Sequence, residues 1–270
     1  MNLELQARVE QSAPAKWLRR ILSIERVPRT VDPIPCPVPQ LLGAEMAAVY
    51  YDLRRAGDFY ECMRVGRSRM VFALLDLAGR RADTREILRA AQKTFREIVP
   101  QHFSADDFNE AIAMMELSQA INQTILERGI RACPGFLGCY NEQLGTICYA
   151  NAGHPPALLC DSTWIAQLAA TGLPLGLFSH LPQSAATCAL SPGAALLVVS
   201  RGIVEAEHAG NEFGLQGAAD VVQNSLHLNA RDLCFAVLRA AENFTCLPLT
   251  HNDVTALALV RHRPPCPGHD

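Results

Sequence analysis

Nowhere in this 270-residue sequence do two of its ten cysteines stand in a C-x-x-C pair. That absence removes the usual sequence sign of a zinc or dithiol redox site. Most of the cysteines (Cys62, Cys139, Cys148, Cys188, Cys234) instead interrupt apolar strand or helix patterns, as buried free thiols do. No apolar run approaches the roughly 18 residues that a membrane-spanning helix needs. The first residues, MNLELQARVEQ, also lack a basic segment followed by an apolar one, so neither a spanning helix nor a secretory leader is expected and a cytoplasmic location follows. Lys/Arg blocks are missing too. With 24 basic against 27 acidic residues, a formal net charge of −3 and a sequence pI near 6.2, neither nucleic acid nor an anionic membrane is an expected partner. There is no internal repeat. What is present is apolar: 49% hydrophobic residues in 29.5 kDa suffice for one large domain, or one domain with an appendage.

Two short helical patterns broken at Pro14 occupy residues 1–22, the second carrying Trp17, Ile21 and Leu22. Pro28, Pro33, Pro35, Pro37 and Pro39 then forbid helix and favour extended chain, which makes this stretch a semi-rigid linker. Residues 1–40 are therefore expected to form an N-terminal helical segment and linker, 41–262 the domain, and 263–270 a disordered tail. Within the domain, 44–53 is an apolar strand. Helical periodicity follows Asp83, a candidate cap, through Ile87, Leu88, Ala91, Phe95 and Ile98. A second helix is expected after the Ser104/Asp107 capping pattern, with Phe108, Ile112, Met115, Ile121 and Ile125 on its apolar side and Gly129 as its stop. Strands are expected at 135–140, 146–151, 157–160, 165–169, 186–190, 194–200 and 254–260, and helices at 214–226 and 230–244 with Asn229 capping the latter. Blocks of helices between blocks of antiparallel strands give an α+β fold, sheets packed together with helices outside.

The stretch 57–79, GDFYECMRVGRSRMVFALLDLAG, has the alternation and the Gly-containing turn of a hairpin. Folded over residues 66–68 it sets Asp58 opposite Asp76, because each lies nine residues from Arg67; Tyr60 then faces Leu74, Cys62 faces Phe72 and Arg64 faces Met70. Opposed residues bring their Cβ atoms to about 4.5–5.5 Å, so two carboxylates so placed need a cation between them, a metal or a basic side chain.

The ordered set GDFY (57–60), DLAG (76–79), YANAGHPP (149–156), GLPLGL (172–177), SRGIVEA (200–206), EFG (212–214) and NDVT (252–255) resembles the metal-dependent serine/threonine phosphatases of the 2C (PPM) type, nearest their bacterial SpoIIE and RsbU branch. The resemblance covers roughly residues 41–262 and implies a four-layer αββα sandwich with two Mn²⁺ or Mg²⁺ ions at one edge, held mainly by aspartates and generating the attacking hydroxide. It assigns metal-ligand and catalytic roles to Asp58 and Asp76, with the carbonyl of Leu77 beside them. It also shows where this sequence departs. Arg201 stands at the third aspartate position and Asn252 at the fourth, leaving Asp253 next to it, and Gly79-Arg80-Arg81 replaces a Gly-His-Gly. His154 corresponds to a loop-fixing scaffold residue, Glu205 to a glutamate near the site, and Gly57, Gly79 and Gly202 to scaffold positions.

At about 4 Å and an effective dielectric near 20, a dication gains on the order of 8 kcal/mol from a carboxylate and is repelled comparably by a guanidinium. A two-metal centre is thus not expected, metal binding is expected to be weak or absent, and Arg201 becomes the cation that the Asp58/Asp76 pair requires. Three functions follow in order: a degenerate phosphatase domain that binds a phosphoserine regulator, an active phosphatase with a reduced metal set, and a structural or oligomerisation module. By resemblance the partner is a phosphoserine protein of the anti-anti-sigma type, and input comes from a separate protein or from a homodimer.

Overall fold

The computed structural model describes residues 34–35, 38–51, 57–77, 81–105, 107–129, 132–180, 184–246, 249 and 253–263. The helical patterns expected in 1–22 and the tail at 264–270 lie outside them. Among the described residues no helix is long and apolar enough to cross a membrane.

Period-two alternation builds two antiparallel sheets. The first holds six strands in the order β1 (Ile34–Pro35), β2 (Ala44–Tyr51), β13 (Val254–Arg261), β10 (Ala195–Val199), β7 (Ala157–Cys160) and β8 (Ile165–Leu168). The second holds five: β3 (Gly57–Val65), β4 (Arg69–Leu77), β5 (Gly135–Asn141), β6 (Thr146–Ala152) and β9 (Ala186–Ala189). On β4, Met70, Phe72 and Leu74 point into the layer between the sheets, while Val71, Ala73 and Leu75 point to the outer helices. β10 and β13 divide the same way, with Leu196, Val198, Leu257 and Leu259 inward. Both faces of these strands are buried, which is why they read as continuous apolar runs. Helices α1 (Arg81–Phe103) and α2 (Glu110–Glu127) cover the five-stranded sheet; α4 (Gly214–Asn224) and α5 (Ala230–Thr245) cover the other. The result is the expected α+β, four-layer αββα sandwich.

Several local expectations change. Helix α1 begins at Arg81, ahead of Asp83, and α2 is capped by Asn109, whose side chain accepts from the N–H groups of Ala111 and Ile112, not by Ser104. The buried stripe of α2 is Ala113, Met114, Leu117, Ile121 and Ile125, so Ile112 turns outward and is half exposed. Asn229 caps α5 as expected, accepting from the N–H of Asp232 at 2.8 Å. Inside the proline-rich stretch, Ile34–Pro35 pair with Tyr50 and Val49 as the edge of the six-stranded sheet, an edge being where a strand tolerates proline. Cys139, Cys148 and Cys234 are buried free thiols, whereas Cys62 and Cys188 are only half-buried. A short helix, α3 (Arg201–Val204), and the hairpin β11 (Glu207–His208) and β12 (Asn211–Glu212) carry no clear sequence signal.

Candidate functional site

β3 and β4 pair in the register that the sequence spacing gives: Asp58 opposite Asp76, Tyr60 opposite Leu74, Cys62 opposite Phe72 and Arg64 opposite Met70. Asp76 continues the inward parity of Phe72 and Leu74 at the end of β4, and Asp58 that of Tyr60 on β3. From the facing sheet, Ser200 continues the parity of Leu196 and Val198, and Thr255 that of Leu257 and Leu259. Four strand ends thus deliver polar side chains to one edge of the sandwich, just where the apolar inter-sheet layer stops.

Arg201 follows at the first position of α3. Its Nε donates to Oδ2 of Asp76 at 2.7 Å and its terminal nitrogen to Oδ1 at 2.9 Å, a two-point fork on one carboxylate. The Arg201 backbone N–H also points at Oδ2, at 3.4 Å. The Asp76 side chain is 7% exposed and that of Arg201 37%. Hydrogen bonding to Asp76 raises the guanidinium further above its usual range, with Asp76, Glu205 and Asp58 adding to the effect against the cost of burial. Asp58 has a different partner: the Thr255 hydroxyl donates to its Oδ2 at 2.7 Å. Thr255 is in turn tied to Ser200 by reciprocal bonds, its N–H donating to the Ser200 hydroxyl at 3.0 Å and its carbonyl accepting the Ser200 N–H at 2.9 Å.

Burial, then the charge of Asp76, raises the Asp58 carboxyl to about 8, against the opposing hydrogen bonds from Thr255 and Ser200. The sign of its pH effect follows. A buried acid that keeps its proton to higher pH when folded costs stability as pH climbs from the unfolded value near 4 to the folded one. Asp58→Asn is therefore expected to resist urea better than the parent, by a margin that widens from pH 5 to pH 8. Parallel stability curves across that range would refute it.

The other expected site residues are placed as follows. Leu77 is buried and pairs with Gly57. Asp253 is buried one residue before β13, where its charge adds to the rise at Asp58. Gly202 is buried in α3, and Glu205 caps that helix, its N–H on the Arg201 carbonyl at 2.7 Å and its side chain exposed. His154 is buried; its Nδ1 lies 3.1 Å from the Pro155 carbonyl, its N–H donates to Asn151 Oδ1, and its Nε2 has no hydrogen-bond partner. Burial lowers this imidazole to about 4, so it is neutral and fixes the 151–156 loop. Gly79, Arg80 and Asn252 lie outside the described residues. Sequence reasoning missed Ser200 and Thr255 as partners, although extending the alternation of β10 and β13 by one step would have found them.

A divalent ion at this edge would need the carboxylate oxygens. Both oxygens of Asp76 already accept guanidinium N–H groups and Oδ2 of Asp58 accepts a hydroxyl. Among the described residues no three His, Cys, Asp or Glu side chains are grouped to hold a metal. Among the described residues, the donor set as arranged does not fit a dication.

The sequence matches the family described as Stage II sporulation protein E (SpoIIE) over residues 66–262. Comparison with curated proteins returns no match. Solved structures share the fold, three of them as follows. The RsbU and RsbW domains of a Mycobacterium tuberculosis protein superpose with a TM-score of 0.68 at 21% identity, over 85% of this chain and 64% of that one. The phosphatase domain with a regulatory fragment of SpoIIE from Bacillus subtilis gives 0.66 at 16%, over 82% and 64%. The SiaA PP2C domain of Pseudomonas aeruginosa gives 0.66 at 16%, over 80% and 85%. This chain thus spans less than two-thirds of the length of the first two.

Proposed function

The chain belongs to the SpoIIE family, and from that premise we propose that it is a PP2C-like phosphatase domain that works in signalling by binding a phosphoserine regulatory protein without hydrolysing it. The observation that carries this reading is the two-point ion pair of Arg201 on Asp76, which takes up the carboxylate that metal-dependent hydrolysis in this family relies on. The replacement of two of four ligand positions, by Arg201 and Asn252, agrees with it. The departures fall on the chemistry, while the scaffold around Asp58, His154 and Gly202 is kept. A regulatory protein as partner is supported by the neighbours, since the M. tuberculosis structure carries an RsbW domain beside its RsbU domain and another neighbour comes from the bacterial stressosome; the anti-anti-sigma type rests on the sequence resemblance.

Calorimetric titration with MnCl₂, run beside hydrolysis of an aryl phosphate and binding of a phosphorylated anti-anti-sigma-type domain, tests the proposal. Manganese is expected to bind no more tightly than about 1 mM, the aryl phosphate to stay intact, and the phosphorylated domain to bind better than its unphosphorylated form. Stoichiometric micromolar manganese, abolished by Asp76→Asn and accompanied by turnover, would replace this reading by that of an active enzyme. Indifference to phosphorylation would leave only a structural module.

A further inference from the structure

Side chains that follow or begin strands of the six-stranded sheet reach both opposed acids of the five-stranded one. Arg201, at the first position of α3 just after β10, holds Asp76 on β4; Thr255, at the start of β13, holds Asp58 on β3. At the edge where they sit, the inter-sheet apolar layer gives way to polar and charged side chains. We infer that Arg201 is a built-in cation: it supplies from within the polypeptide the positive charge that the buried Asp76 carboxylate demands, and so closes this edge of the sandwich with no metal ion. The inference shares the metal-free reading of the site, but it concerns how the sheets cohere and not what the domain binds.

Three features support it. A guanidinium is charged at every accessible pH and its planar fork matches both oxygens of a carboxylate, so it can stand where a point charge would need several further ligands. Its origin is fixed, because Ser200 immediately before it is fully buried and locked to Thr255 by two hydrogen bonds. Its partner Asp76 is nearly buried, so removing the cation would strand its carboxylate, beside Asp58, without a counter-charge.

Thermal unfolding of the full chain and three variants, in EDTA and in MnCl₂, tests this. The parent midpoint is expected to be the same in both. Arg201→Met keeps the bulk and loses the charge; in EDTA its midpoint should fall by about 5 °C or more, and recover in part with Mn²⁺ or on adding Asp76→Asn. Arg201→Lys keeps the charge without the fork and should fall between the two. A parent midpoint that rises by several degrees with Mn²⁺ would overturn the inference. So would equal midpoints for the Met and Lys variants, or a loss in Arg201→Met that neither Mn²⁺ nor Asp76→Asn relieves. A manganese response of the parent bears on both readings, whereas the comparison of the Met, Lys and Asp76→Asn variants in EDTA involves neither metal nor phosphorylated partner, so failure there is distinct from failure of the proposed function.

Discussion

Replacing Arg201 and Asn252 together by aspartate is expected to raise manganese affinity at least about 100-fold over the parent, a change of roughly 3 kcal/mol. The estimate is conservative. At about 4 Å and an effective dielectric near 20, exchanging a guanidinium for a carboxylate alters the energy of a dication by several times that amount, before relaxation and water are counted. The exchange also frees both oxygens of Asp76, which the guanidinium now occupies. The double variant should show detectable aryl phosphatase turnover, though weak, because Gly79-Arg80-Arg81 and the groups that orient the ligands have diverged as well. Calorimetry and a chromogenic phosphate measure both effects. A folded double variant that binds manganese no better than the parent and stays inert would mean that Arg201 and Asn252 do not occupy ligand positions at all.

The legibility of that site depended on what kind of information each residue needed. Asp58 opposite Asp76 could be read from the sequence because a hairpin is local: the turn over Gly66, which adopts a positive φ of 57°, sets the register of every pair behind it. Arg201 could be matched to the Asp58/Asp76 pair, though not to one member of it, because an opposed pair of carboxylates demands a cation and Arg201 stands where the resemblance places a ligand aspartate. Ser200 and Thr255 were not read as partners. Their roles exist only once two sheets of distant origin face each other, 197 residues separating Asp58 from Thr255. Long, strongly patterned strands such as β4, β5 and β13 fell within a residue or two of their expected ends. The caps of α1 and α2 did not, because Asp83, Ser104 and Asn109 are all plausible helix starters and tertiary packing chose among them. The outward turn of Ile112 has the same origin. Two overlapping apolar stripes run along α2, and the sheet beneath selected the one through Met114 and Leu117.

Phe72→Ala is expected to cost about 3–5 kcal/mol, lowering the thermal midpoint by about 10 °C. Phe72 is fully buried between the sheets, four residues before Asp76 on the same face, and its ring packs near-parallel to that of Phe136 with centroids 6.3 Å apart. It faces Gly138 across the β4–β5 pair, and a Cβ built on Gly138 would lie 2.3 Å from the ring. The glycine is therefore the space in which the phenylalanine lies. Once the ring is gone no neighbouring side chain on that position can relax into the void, so the loss belongs at the upper part of the usual range. The same geometry couples the two positions. Gly138→Ala alone should destabilise by about 1–3 kcal/mol through overpacking, but in the Phe72→Ala background it should be neutral or restore part of the loss, because the clashing ring is absent. Urea unfolding of the two single variants and the double variant measures the coupling. Strictly additive costs would show that Gly138 is there for some reason other than Phe72, and that the inter-sheet layer carrying Asp76 is held by something else.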